Sequence, residues 1–230
     1  MVKKRKPKTA GLTLEWGKYP AYKHIVGLDE AGRGAWAGAV VVGAVSLPLD
    51  WGEDKLHIEL AGVRDSKEMT RLSRERLVEK IKNVALAWGV GMAESNEVDD
   101  IGINPATILA LKRALTHLQA QFPNFKPDYL FTDGLMKGEL GFPYDSIVKG
   151  DQKSLTIAAA SVLAKTHRDA MMVALDNEYP NYRFGQHKGY GTKLHLELIE
   201  ELGILPVHRR YYRPIKKIAD SLPPFSPRLN

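Results

Sequence analysis

The stretch Gly27-Leu28-Asp29-Glu30-Ala31-Gly32-Arg33-Gly34 constrains this chain more than any other. A run from His24 to Leu28 reads as a strand, and two adjacent carboxylates follow it at the head of a glycine-rich turn over residues 29–38. Two neighbouring carboxylates are costly to hold together unless a cation or a proton compensates them. The turn offers backbone N–H groups to a phosphate, and Arg33 adds a guanidinium beside the acids. The bland alternative is a polar hairpin with Asp29 and Glu30 solvated. It suits a bare Asp-Glu pair better than one flanked by Gly-Arg-Gly.

Two further acids occupy comparable positions. Asp133 follows Tyr129-Leu130-Phe131-Thr132, and Asp151 follows Ile147-Val148-Lys149-Gly150. Each alone reads as a turn residue. Four acids able to converge on one sheet edge are a different matter. A few carboxylates, with substrate phosphate oxygens and water, bind hard cations such as Mg2+. Two such ions about 3.5–4 Å apart stabilise the attacking and leaving oxygens of a phosphodiester displacement. With no cysteine in the chain, any metal must be held by oxygen or imidazole. The pattern fits phosphoryl chemistry.

The surrounding segments define the fold class. Residues 39–47 form a second, Val-rich strand, and Ser73 caps a helix running through Asn83. Residues 84–93 alternate, with Val84, Leu86, Trp88, Val90 and Met92 as the packed face and Ala or Gly opposite. Asn104 and Pro105 start a helix whose apolar stripe is Leu111, Leu115, Leu118 and Phe122. Short strands follow at 129–132 and 145–148, then a long Ala-rich helix over 154–178 and a last one over 193–202, stopped by Gly203. Strands first, then alternating helices and strands, predict a mixed α/β (α+β) sheet with helices packed on it.

The net charge of +6 conceals its distribution. Residues 1–8 carry five cations and no acid, and residues 207–230 carry six cations against Asp220, which leaves residues 9–206 at −4. The chain is therefore divided into a mobile basic arm (1–22), a body (23–206) and a basic, proline-rich C-terminal appendage (207–230). The arm is either a phosphate contact or a solvated tail. An apolar content of 44% is that of a globular chain. No apolar run approaches the about 20 residues that span a bilayer, and no apolar segment follows the basic start as a secretory signal would. A cytoplasmic protein without a membrane partner is expected.

The motif Asp29-Glu30-Ala31-Gly32-Arg33-Gly34 closely resembles the opening motif of ribonuclease HII, the type 2 ribonuclease H family. The resemblance continues through Asp65-Ser66-Lys67, Ile103-Asn104, Asp133-Gly134, Lys149-Gly150-Asp151 and the stretch Ile157 to Lys165. It extends to His187-Lys188-Gly189-Tyr190-Gly191-Thr192, in the bacterial form, and to Pro206-Val207-His208-Arg209-Arg210. It implies a ribonuclease H-like central mixed sheet flanked by helices, with a small helical C-terminal region. It further implies a monomer that hydrolyses RNA in RNA–DNA hybrids and incises at single ribonucleotides embedded in DNA, leaving a 3′-hydroxyl and a 5′-phosphate. Asp29, Glu30, Asp133 and Asp151 would bind Mg2+ or Mn2+, two ions in the substrate complex, and act as the catalytic acids. The backbone of Gly32, Arg33 and Gly34 would read a ribonucleotide 2′-hydroxyl, and Tyr190 would pack on the neighbouring deoxyribose.

Lys67, Ser161 and Lys165 are expected to contact substrate; for each lysine the alternative is a surface amine. His187, His195 and His208 are expected as structural or phosphate contacts, since a Mg2+ site does not call for imidazole. Three positions depart from the family's usual pattern. Ala39 stands where proline is usual and is expected to loosen entry into the second strand. Trp36 is expected to alter the groove edge. Tyr211-Tyr212 replaces the commoner Ser-Phe. A ribonuclease HIII-like enzyme and a non-catalytic hybrid-binding module are the rival readings; Gly-Arg-Gly with Tyr190 argues against the first, and the four acids against the second.

Overall fold

Five strands, β1 (Ile25–Ala31), β2 (Val40–Ser46), β3 (Ala87–Ala93), β4 (Tyr129–Asp133) and β5 (Tyr144–Ile147), form one mixed sheet in the order β3-β2-β1-β4-β5. Strands β1, β2 and β3 pair antiparallel, whereas β4 lies parallel to β1 and β5 parallel to β4. The computed structural model describes residues 9–64, 66–134 and 138–221. The cations of residues 1–8, Asp65 and the proline-rich end from residue 222 lie outside the described residues.

The helices are α1 (Thr13–Lys18), α2 (Glu53–Glu59), α3 (Arg71–Val84), α4 (Ser95–Ile101), α5 (Ile103–Gln121), α6 (Leu155–Glu178), α7 (Phe184–His187), α8 (Lys193–Leu202) and α9 (Arg213–Ser221). Side-chain alternation along β1 divides the core in two. Ile25 joins Val45, Tyr129 and Phe131 under α6, while Val26 and Leu28 join Val40, Val42 and Leu130 under α5. Ile157, Val162, Leu111 and Leu118 are at most 1% exposed, and each such side chain contributes about 1.5–3 kcal/mol. None of the described helices is long and apolar enough to cross a membrane.

Several expectations are corrected by tertiary contacts. β1 runs on to Ala31, so Asp29 and Glu30 lie within the strand, opposite Gly43 and Val42 of β2. Thr70, not Ser73, caps α3, its hydroxyl accepting the Ser73 amide at 3.2 Å. α5 begins at Ile103 after Gly102, which frees the Asn104 side chain for another use. On β3 the small-residue face is the more buried one. A methyl group at Gly91 would sit 2.2 Å from the Ala114 amide nitrogen, so α5 lies too close to that face for any side chain.

The arm is not mobile over residues 9–22. Ala10 and Leu12 are buried, and α1 places Glu15, fully buried, at the start of α6. Its Oε1 accepts from the Ser154 hydroxyl at 2.6 Å and from the Thr156 amide at 3.0 Å. Burial pushes the Glu15 pKa up, and these hydrogen bonds oppose the rise. A carboxylate at a helix N-terminus meets orphan N–H groups and the positive end of the helix dipole. The arm's second half thus anchors the helix whose far side reaches the acids. At the other end, α9 buries Ile215 against Ile199 and Ile204.

Candidate active site

The register of β1 and β4 builds the acidic site. Leu28 is level with Thr132, and in a parallel pair the next step sets Asp29 beside Asp133 on the face covered by α6. Asp151 reaches the same point from the short helical turn Gly150–Gln152. Carboxylate oxygens of Asp29, Asp133 and Asp151 all lie within 4.8 Å of one another, and no other such group of three occurs among the described residues. The Asp133 and Asp29 carboxylates are oriented by their surroundings. The Gly150 amide donates to Asp133 Oδ1 at 2.6 Å and the Glu30 amide to Asp29 Oδ1 at 2.7 Å. The Ser161 hydroxyl hydrogen-bonds the Asp29 carboxylate and pairs with Ser66 Oγ at 2.8 Å.

Burial, followed by the charges of Glu30 and Asp133 and then of Asp151, pushes the Asp29 pKa well above the ordinary carboxylate range. A buried group of like charges with oxygen donors only is what a hard divalent cation relieves, so the residues fit Mg2+ or Mn2+.

Glu30 stands apart from the trio. Strand alternation sends it to the opposite face of the sheet from Asp29, towards α5. Burial raises its pKa, as does Asp133, while the Arg33 and Lys67 charges lower it. Arg33 lies 3.7 Å from Glu30 Oε1 and donates to Asn104 Oδ1 at 2.5 Å. Asn104, read from sequence as a helix cap, therefore steadies the guanidinium beside the acids.

The turn after β1 is clamped from behind by two fully buried arginines. Arg168 of α6 donates to the carbonyls of Ala37 and Ala39, each at 3.0 Å, and of Lys188 at 2.9 Å. Arg209 donates to the carbonyls of Gly38 at 2.9 Å and Arg33 at 3.0 Å. Gly32 has φ +90°, and a methyl group there would sit 1.9 Å from Arg168 Nε, so only glycine lets the chain pass. The Tyr212 hydroxyl also donates to the Arg33 carbonyl; where the family commonly has Phe, this chain adds a hydrogen bond. Ala39 is buried with its carbonyl held, so entry into β2 is anchored rather than loose. Trp36 is half-buried and packs over Gly191 and beside His195.

Tyr190 belongs to the same unit. Its backbone bridges to Ala35, and its half-buried ring lies 5.5 Å from Lys165 Nζ and 5.2 Å from Arg168 Cζ. Lys165 is not a surface amine. It pairs with Asp169 at 2.7 Å, and Asp169 also receives Arg74 at 2.8 Å. Ser161 is 3% exposed and sits beneath Asp29 rather than on the surface, whereas Lys67 is exposed. The histidines are structural: His187, His195 and His208 are buried, in contact with one another and with Phe184.

Sequence reasoning thus brought Asp29, Asp133 and Asp151 together correctly and overlooked Ser66, Asn104, Arg168, Asp169 and Arg209 as parts of the site. A signal for Arg168 and Asp169 exists, a charged pair between the apolar stretches 157–164 and 170–175 of α6. Two of the three carbonyls that Arg168 serves, those of Ala37 and Ala39, lie about 130 residues away.

Residues 26–214 match the family described as Ribonuclease HII. The chain is 50% identical over 191 residues to a Ribonuclease HII of Thermus thermophilus, covering 83% of this chain and 87% of that protein. It is 43% identical over 203 residues to Ribonuclease HII of Dehalococcoides mccartyi strain 195, covering 86% and 90%. Its fold matches the crystal structure of ribonuclease H2 from Pyrococcus horikoshii OT3 with a TM-score of 0.69 at 24% identity, covering 86% of this chain and 97% of that one. Bst-RNase HIII, solved in complex with Mn2+, matches with a TM-score of 0.67 at 18% identity, covering 86% and 70%. Shared sequence, shared fold and an oxygen-only carboxylate site agree: the chain belongs to the ribonuclease HII family and is a divalent-metal-dependent endoribonuclease with ribonuclease H activity.

Proposed function

We propose that this enzyme, beyond hydrolysing RNA in RNA–DNA hybrids, incises duplex DNA on the 5′ side of a single embedded ribonucleotide, leaving a 3′-hydroxyl and a 5′-phosphate. Asp29, Asp133 and Asp151 hold two divalent ions, Mg2+ or Mn2+, with Glu30 completing the set from the other face of the strand. When bound, the ions supply Lewis-acid activation of water and stabilisation of the departing 3′-oxygen. Ser161 and the Gly150 amide keep the Asp29 and Asp133 carboxylates aimed at the ions. Lys67 and Lys165 neutralise phosphates on either side of the cut.

The observation that carries this reading is the direction of the clamped turn. The Arg33 carbonyl is held by Arg209 and Tyr212, and a trans peptide points the Gly34 N–H the opposite way, to the exposed side of the turn. A backbone donor there, next to the acids and with no side chain in the way, suits a 2′-hydroxyl, the group that separates RNA from DNA at one nucleotide. Tyr190, bridged to the same turn, offers a flat ring to the neighbouring sugar.

The test is cleavage mapping on a duplex with one ribonucleotide, in Mg2+ and in Mn2+, beside a continuous hybrid. Incision 5′ of the ribonucleotide is expected. Cleavage of the hybrid alone would replace this reading with a ribonuclease HIII-like one, and absence of metal-dependent turnover on either would leave a binding module.

A further inference from the structure

Three buried histidines lie behind Tyr190, and with all three rings neutral their hydrogen bonds admit one arrangement of protons. The Tyr190 carbonyl can only accept, so His195 Nδ1, 3.0 Å away, carries a hydrogen and donates it. A neutral His195 then accepts at Nε2, and its partner there, His208 Nε2 at 3.1 Å, is the donor. A neutral His208 is left with a bare Nδ1, which accepts the Leu205 amide at 3.0 Å; the Leu205 carbonyl also lies 3.3 Å from that nitrogen, and only a charged His208 ring could donate to it while still serving His195. His187 is fixed in the same way: Nε2 donates to the Tyr182 carbonyl at 2.8 Å, and Nδ1 accepts the Gly189 amide at 3.1 Å. Its ring stacks on His195 with centroids 4.1 Å apart.

Neutrality is what the surroundings impose. Burial pushes His195 down to about 3 and His208 to about 4, and burial lowers His187 as well. Phe184 packs against all three rings, and Trp36 lies 5.6 Å from His195. The Tyr190 carbonyl also accepts the Thr192 amide at 2.8 Å. His195 is thus a second, directional hold on a peptide already in a turn, and His187 holds the peptide between Lys188 and Gly189 through the Gly189 amide.

We infer that His195, aligned by His208, is a positioning residue for Tyr190. A one-way hydrogen-bond relay runs from the Leu205 amide through both imidazoles to the Tyr190 carbonyl and sets the height of the tyrosine ring at the substrate groove. The inference rests on the proposed role of Tyr190 at an RNA–DNA junction. Its reach is specificity: the relay touches none of the acids, so it tunes how well a lone ribonucleotide is told from a continuous RNA strand rather than the chemical step.

Two measurements test it. Nitrogen-15 spectra of the imidazoles at neutral pH are expected to show His195 as the Nδ1–H tautomer and His208 as the Nε2–H tautomer; the reverse assignment, or a charged ring, overturns the relay. The second is the ratio of kcat/KM on a one-ribonucleotide duplex to that on a continuous hybrid, read with Tm. In His195→Asn the amide N–H2 replaces the Nδ1 donor, and the ratio stays near wild type. In His195→Gln the side chain reaches His208 but loses the donor to Tyr190, and the ratio falls about fivefold, the worth of one net hydrogen bond. Equal ratios in the two variants, or ratios that follow Tm, refute the positioning role. Tyr190→Ala separates the two layers. If it leaves the ratio unchanged, the reading of Tyr190 fails; if it lowers the ratio while His195→Gln does not, only the relay fails.

Discussion

Replacing Asp29 by Asn is expected to abolish cleavage and to stabilise the metal-free enzyme. Asp29 is 6% exposed, and its carboxylate oxygen lies within 4.8 Å of those of Asp133 and Asp151. At an effective dielectric of about 20, two unit charges at that distance repel by about 3.5 kcal/mol. Both repulsions act on Asp29 when all three are ionised. Burial of the charge costs more still, and the Glu30 charge adds to the repulsion; proton uptake relieves part of this cost, which is why its pKa stands well above the ordinary range. Asn keeps the shape and accepts the Glu30 amide through its oxygen, while its N–H2 serves the Ser161 hydroxyl. The substitution therefore removes charge without opening a cavity.

The sign follows from linkage. A raised folded-state pKa means that Asp29 favours folding below the unfolded value near 4, and this contribution is lost as pH rises through the folded value. In EDTA at pH 8 the Asn variant is expected to gain about 2 kcal/mol or more, roughly 4–8 °C in Tm for a chain of this size. At pH 4 the gain shrinks towards zero. Mn2+ raises the wild-type Tm by mass action, and the variant's by less. Thermal unfolding at both pH values, with and without Mn2+, reads all of these. A metal-free variant less stable than wild type at pH 8 would refute the like-charge account of the site.

Two other perturbations bear on the scaffold. Arg168→Lys replaces three donors to buried carbonyls by one ammonium that cannot span them, and about 3–5 kcal/mol of unfolding free energy should be lost in urea titrations; a loss under 1 kcal/mol would mean the turn after β1 holds itself. His195 and His208 carry pKa values of about 3 and about 4, below the unfolded value near 6.5, so the unfolded chain takes up protons that the folded one refuses. Stability should fall as pH drops from about 6.5 towards 4, by about 1.4 kcal/mol per pH unit for each histidine. His195→Asn should remove one histidine's share of that slope, and an unchanged slope would show that the rings are not held neutral.

Asp29, Asp133 and Asp151 were legible because local sequence suffices to place an acid at the end of an apolar run, and sheet edges gather strand ends. That Glu30 leaves the trio was not legible: it depends on β1 continuing to Ala31, and the length of a strand is decided by its partner, here Val41 opposite Ala31. The caps failed for a similar reason. Asn104 has the right chemistry for a helix start, but Arg33, 71 residues away in sequence, claims its side chain. On β3 the alternation was visible, and which face would be covered was not, since that depends on how closely α5 approaches. Glu15 looked like one polar residue in a basic arm until Ser154 and Thr156 were brought to it. In each case the sequence carries the residue's chemistry and the fold supplies its partner.

The same distinction explains how a buried acidic site and two buried arginines coexist within one strand and turn. A guanidinium beside Asp29 would depress its pKa and occupy its oxygens, relieving the repulsion that favours a metal ion. Arg168 and Arg209 instead direct their described hydrogen bonds to main-chain carbonyls of residues 33, 37, 38, 39 and 188 and to the Tyr212 hydroxyl. Carbonyl dipoles compensate a buried cation less fully than a carboxylate does, and burial accordingly pushes Arg168 down to about 10. That cost leaves the acids open to cations and ties the shape of the turn to the cores of α6 and the C-terminal segment. The metal site and the recognition turn are consecutive along one backbone, Asp29 to Ala39, yet each is held by its own set of partners.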